Sequence, residues 1–221
     1  HDPLAVDAIL SYAEPTRPDI LTLLGDTIDF YQISTFTKNP KQRGVASEIQ
    51  ATRDFLDELR FRFPGAQIIY KRGNHEERLD RYIMQNAGNI YELVDDLLTS
   101  KLGFADFRVD YHEHPFRIGK LWHMHGHEHM SKMTNAEHIC NVVWKYVHDH
   151  FICGHYHRNQ EKTYKRGLSG ETFWGGVIGY GAGYMEYAHL NTWNQGFGVI
   201  RYDSSGKFRA ELRQVINGEV L

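Results

Sequence analysis

Four short segments of this 221-residue chain concentrate side chains that bind metals and move protons: Gly25-Asp26-Thr27-Ile28-Asp29, Gly73-Asn74-His75-Glu76, His125-Gly126-His127 and Gly154-His155-Tyr156-His157. Mixed oxygen and imidazole donors suit manganese, zinc or iron better than calcium or magnesium alone. A carboxylate such as Asp26 can bridge two cations, and Asn74 can add a neutral amide oxygen. The adjoining glycines let the backbone turn sharply and bring a short side chain against an ion. His155 and His157 share one tight loop and can face different metals, with Tyr156 directed elsewhere. Two cations about 3.5–4 Å apart can activate a water and clamp phosphoryl oxygens. The leaving alkoxide then needs a proton or a positive neighbour, a role His75 can fill beside Asn74. Asp29 can orient His75 or stabilise its protonated form, acting through the histidine rather than on a metal.

Each segment follows an apolar run that must hold it in place. Leu4–Tyr12 has helical spacing, and Ile20–Leu24 reads as a buried strand stopping at Gly25-Asp26. A polar loop runs through Asn39-Pro40; Val45–Phe63 then predicts a helix with Val45, Ile49, Phe55, Leu56 and Leu59 on its apolar side, ended by Pro64-Gly65. Gln67–Tyr70 is the next short strand, and Glu76–Gln85 resumes helical character. Strand-like stretches follow at Phe107–Val109, Phe116–Ile118 and Leu121–His123, then a helix at Ala136–Val147 and a strand at His150–Cys153. Two further strands are expected at Phe197–Tyr202 and Phe208–Val215. In open α/β sheets ligands collect at the carboxyl ends of strands, so four polar loops there would converge on one place.

Composition narrows the classes. A hydrophobic share of 41% and a charged share of 24% are ordinary globular values, and the length suits one α/β domain without a repeat, linker or low-complexity segment. The net charge of −3, with histidines neutral, gives no overall basic field for gripping long nucleic acid. No run approaches the roughly 20 apolar residues a membrane helix needs. No basic, apolar leader opens the sequence, and Cys140 and Cys153 form no CxxC pair, so a cytoplasmic, reducing location is expected.

In this order the four segments resemble the motif series of the calcineurin-like metallophosphoesterases. The wider spacing, with Phe30-Tyr31 after the first motif, is similar to a bacterial and phage branch of that family, and the resemblance runs from Ile20 to Tyr202. It implies a four-layer α/β/β/α fold, two packed mixed β-sheets flanked by helices, with a dinuclear site at the strand ends. It also implies that Asp26 bridges two divalent ions (manganese, zinc or iron), that Asn74, His125 and His155 complete one metal site, and that His157 serves the other. His75, with Asp29, would be the catalytic pair, and His127 would lie near the substrate. The family opens with a strand ending in Asp-x-His, which supplies two ligands to the metal that His157 serves. No such motif precedes Gly25-Asp26, and His1-Asp2-Pro3-Leu4-Ala5 is similar to the segment after it. The expectation is a chain lacking that first strand, which lies upstream; alternatively, this form holds the second metal poorly.

The implied activity is metal-dependent hydrolysis of a phosphate ester, foremost a phosphodiester in a nucleotide or nucleic acid. A phosphomonoesterase or protein phosphatase is the nearer alternative, and a non-catalytic metal-binding module with a degraded site the more distant one. Arg72, Arg78 and Arg81 flank Asn74 and His75 and are candidates to neutralise a phosphate; for Arg78 and Arg81 the alternative is a solvated helix face paired with Glu77 or Asp80. His112, His114, His123, His138, His148, His150 and His189 read as surface or core residues, and His129 is weighed with His127 as a neighbour of the site. The glycine-rich Gly175–Gly183 has no P-loop lysine and reads as tight packing or a turn. Tyr184, Tyr187 and Trp193 read as core, with base stacking the lesser alternative.

Overall fold

The computed structural model describes residues 2–39, 44–94, 96–128, 138–183 and 192–221. They divide into two compact units, one of residues 17–114 and the other of the first 16 residues with 115–221. The architecture is mixed α/β, with five α-helices and three sheets among the described residues.

The 17–114 unit is built on a parallel sheet of β1 (Ile20–Leu23), β2 (Gln67–Lys71) and β3 (Val109–His112), in that order. Central β2 buries Ile68, Ile69, Tyr70 and Lys71, as a strand flanked on both sides must. The Lys71 ammonium is satisfied by the carbonyls of Arg72 and Glu113. Between β1 and β2 runs α2 (Val45–Arg62), whose buried residues are Glu48, Thr52, Leu56 and Leu59. The i, i+4 spacing is as expected, but the stripe includes two polar residues. Thr52 bonds back to the Glu48 carbonyl at 2.9 Å, and Glu48 accepts the Tyr31 amide at 3.1 Å. Burial, with the neighbouring Asp29 charge, pushes the Glu48 carboxyl above its usual range. At the end of α2, Arg60 donates to the carbonyls of Ala66, Phe107 and Arg108, fixing the chain just before β3.

β3 begins two residues later than the sequence pattern suggests. Arg108 sits at φ 51°, a left-handed conformation incompatible with an extended strand, and strand geometry starts at Val109. α3 (Glu77–Ala87) follows β2, and α4 (Leu97–Leu102), which the sequence reading left unassigned, buries Leu98 and Leu102 before Gly103 closes it in the left-handed region.

The other unit carries a five-stranded sheet ordered β4 (Phe116–Ile118), β5 (Leu121–Met124), β6 (Phe151–Cys153), β8 (Thr172–Val177), β7 (Gln160–Lys165). β5, β6 and β8 are parallel, and both edge pairings are antiparallel. A second sheet, antiparallel, is ordered β11 (Glu219–Val220), β10 (Phe208–Ile216), β9 (Gln195–Tyr202). Strand alternation sorts the layers. Met124, Phe151 and Cys153 share a cluster with Ile139, Cys140 and Val143 of α5 (Ile139–Val147). From the opposite face, His123 meets Tyr202 of β9 and Ile152 closes on Gly198. Phe197, on the other side of β9, packs edge-on against Tyr12 of α1 (Pro3–Ala13), with ring centroids 5.4 Å apart. α1 is started by Asp2, whose carboxylate accepts the Leu4 amide at 3.0 Å.

The Gly175–Gly176 pair belongs to β8 rather than to a turn. A Cβ on Gly175 would overlap the Phe151 ring of the neighbouring strand, so tight packing is the reason for the glycine. No helix among the described residues is long and apolar enough to cross a membrane.

Candidate metal centre

Each unit places two of the four polar segments at the carboxyl ends of two adjacent parallel strands. In the 17–114 unit β1 delivers Asp26 and β2 delivers Asn74 and His75. In the other, β5 delivers His125 and β6 delivers His155.

In the 17–114 unit the two loops are organised by Glu76. The residue is 1% exposed, and its Oε2 accepts the amides of Asp26 and Gly73 at 2.9 and 2.8 Å. Oε1 accepts the Thr27 and Ile28 amides at 2.8 and 3.4 Å and the Tyr70 hydroxyl at 2.6 Å. Burial, then the Glu76 charge, pushes the Tyr70 phenol well above its usual range, so it stays a donor. A carboxylate so placed draws both loops into one anion nest and fixes Asp26 in the left-handed region, at φ 54°. Gly73 is required there, because a Cβ would overlap the Asp26 amide and carboxylate. From sequence alone Glu76 reads only as the start of a helix. The structure puts it at the N-cap of α3 without a side-chain capping bond, its carboxylate turned back into the loops.

His75 joins the two carboxylates of the first motif. Its amide donates to Asp26 Oδ1 at 2.9 Å, its Nε2 lies 3.6 Å from Asp26 Oδ2, and its Nδ1 lies 3.0 Å from Asp29 Oδ1. Arg78 donates to Asp29 Oδ1 at 2.5 Å and to the Asp29 carbonyl at 2.7 Å. Burial raises the Asp29 pKa, but the His75 hydrogen bond and the His75 and Arg78 charges outweigh it and hold the carboxyl below its usual range. The arginines differ from expectation. Arg78 is tied to Asp29, Arg81 donates to the Asn74 carbonyl at 3.0 Å, and Asp80 pairs with Arg72. Arg72 also reaches Glu113 at 3.4 Å. The Arg72 guanidinium thus lies between two carboxylates.

In the other unit His125 and His155 come together. His125 is 1% exposed, and its Nε2 lies 3.1 Å from His155 Nδ1. The His127 ring lies 5.1 Å from that of His125 and 6.3 Å from that of His155, so it borders the pair. Glu128 plays a part like that of Glu76, accepting the His125 and Gly126 amides at 3.0 and 2.6 Å. Tyr156 points into the core, as its place between the two histidines suggested. It is buried in the α5 cluster, and its hydroxyl donates to the Gly126 carbonyl at 3.2 Å, joining the two histidine loops. Both His155 and His157 have positive φ, 66° and 57°. That backbone turns successive side chains out of strand alternation. His129, Tyr184, Tyr187 and His189 lie outside the described residues.

Among curated proteins, the chain is similar to two bacteriophage products. The "Gene 54 protein" of Mycobacterium phage L5 is 28% identical over 226 residues, covering 96% of this chain and 87% of the relative. The protein of the same name from Mycobacterium phage D29 is 26% identical over the same shares. No family model matches the chain.

Proposed function

We propose that the chain is a metal-dependent phosphoesterase of the calcineurin-like kind, acting foremost on a phosphodiester in a nucleotide or nucleic acid. The observation that carries the reading is the His125–His155 pair: two imidazole nitrogens 3.1 Å apart, at the ends of adjacent parallel strands. Ring nitrogens so close can share one N–H in a hydrogen bond or, with both unprotonated, ligate one cation. The carboxylate of Asp26 and the imidazoles of His125 and His155 are ligand types that fit manganese, zinc or iron. In this reading Asp26, Asn74, His125 and His155 hold one ion, and Asp26 and His157 contribute to a second. The layering of α5, the five-stranded sheet, the β9–β11 sheet and α1 supports the sandwich that the family resemblance implies.

When bound, two divalent ions supply an activated water and charge for the phosphoryl oxygens. The chain's own residues do the rest. Asp29, pinned by Arg78, accepts the Nδ1 proton of His75 and so leaves Nε2 as the end that protonates the departing alkoxide. Glu76 holds Asp26 and the His75 loop in a fixed relation, so His75 and the Asp26 carboxylate keep their register. His127 borders the histidine pair as a substrate-side group.

The test compares variants by metal content and hydrolysis of bis-p-nitrophenyl phosphate. Asp26→Ala and His155→Ala lose bound metal and activity together. His75→Ala keeps its metal and loses turnover by about 10²–10⁴-fold, the usual scale for a general acid. Unchanged metal content in both ligand variants would contradict the assignment.

A further inference from the structure

His157 stands apart from the His125–His155 pair in how it is held. Its backbone lies at φ 57°, and its ring is flanked by two aromatic side chains. Tyr180 stacks on it with centroids 4.9 Å apart and planes at 18°, and Trp193 meets it edge-on at 4.5 Å and 87°. The flanking rings are themselves fixed by Asn194, which bonds in three directions. Its amide donates to the His157 carbonyl at 2.9 Å, its carbonyl accepts the Tyr180 amide at 3.1 Å, and its side-chain oxygen accepts the Asn159 amide at 2.7 Å. Asn159 in turn accepts the Gly179 amide at 2.5 Å and donates to the Arg213 carbonyl at 2.7 Å. A Cβ on Gly179 would overlap the backbone of Asn194 to Gly196, so these segments meet main chain to main chain. Two amide side chains thus bind the histidine loop, the end of β8 and the start of β9 into one frame.

We propose that Tyr180 and Trp193 are positioning residues that hold the His157 imidazole in its metal-ligating orientation. The inference rests on the function proposed above. An exposed histidine samples several rotamers, and ordering it on metal binding costs free energy. A ring covered on one face and at one edge has met that cost during folding. The Tyr180 face is occupied by the imidazole, so these rings serve the histidine rather than a nucleobase.

The experiment pairs ring-nitrogen NMR of the metal-free protein with manganese and zinc titrations of the wild type, Trp193→Ala, Trp193→Phe, His157→Ala and the double variant His157→Ala/Trp193→Ala. In Trp193→Ala the His157 ring signals shift, and the ion lost in His157→Ala binds about 10–100-fold more weakly, the usual effect of removing a ligand's support. Trp193→Phe restores most of that affinity, and Trp193→Ala costs nothing further once His157 is gone. Unmoved His157 signals overturn the cage, as does an equal loss of metal with and without His157. Should Trp193→Ala not fold, Trp193→Leu and Tyr180→Leu, read by the same ring signals and titrations, decide by the same criteria. Wild-type protein that takes up neither ion overturns the ligating role and the metal centre together, and the ring signals distinguish that failure from failure of the cage.

Discussion

Replacing Glu76 by Gln keeps the side chain's size and exchanges one carboxylate oxygen for an NH2 group. Either orientation of the amide sets that group against donors. Facing the Oε2 position it meets the Asp26 and Gly73 amides, and facing the Oε1 position it meets the Thr27 and Ile28 amides and the Tyr70 hydroxyl. At least two bonds to a charged acceptor are lost, each contributing about 1.5–3 kcal/mol, and their buried donors are left facing another donor. We expect a loss of about 3–5 kcal/mol, a large part of the roughly 5–15 kcal/mol that stabilises a domain. Urea unfolding followed by circular dichroism measures it. Tyr70→Phe, which removes one donor from Oε1, is expected to cost about 1–2 kcal/mol alone and measurably less in the Glu76→Gln background, because the two groups are in contact. A Glu76→Gln loss below about 1 kcal/mol, or full additivity with Tyr70→Phe, would refute the claim that this carboxylate organises both loops.

Gly73→Ala places a methyl group against the Asp26 amide and carboxylate. It is expected to destabilise by about 1–3 kcal/mol through overpacking and to lower metal affinity, whereas Gly65→Ala, which meets nothing within 4 Å, serves as the control in the same unfolding and titration experiments. His123 is 3% exposed and burial holds its imidazole at about 4, against 6.5 when free. The folded state therefore favours the neutral ring, and the stability this gives is present above pH 6.5 and lost as the pH falls toward 4, about 3 kcal/mol in all. Urea midpoints at pH 7, 5.5 and 4 should fall more steeply for the wild type than for His123→Leu, and parallel slopes would contradict the assignment.

The polar segments were legible because each follows a short apolar run and includes a glycine, a pattern that survives without knowledge of tertiary structure. Their supports were harder to read. Glu76 and Glu128 follow the histidines as ordinary acidic residues, and only the folded backbone reveals which amides they collect. β7 was missed because Gln160–Lys165 is mostly exposed and charged, with Tyr164 its one buried residue, so no apolar alternation marks it. β8 was obscured by Gly175 and Gly176, whose place in a strand depends on the rings of Phe151 and Trp174. Arg78 and Arg81 were read as helix-surface partners of nearby acids, since spacing along one helix says nothing of Asp29 or Asn74 nearly 50 positions earlier or on another loop. Trp193 read as core, and it is half-buried against His157.

The most direct test of the central claim is to load the metal-stripped protein with manganese or zinc, count the ions retained, and follow hydrolysis of bis-p-nitrophenyl phosphate in the same samples. The account predicts at least one tightly held ion, absent from the His125→Ala/His155→Ala double variant, and hydrolysis that rises with metal occupancy. No retained metal, or hydrolysis of equal rate in the stripped protein and the double variant, would contradict it.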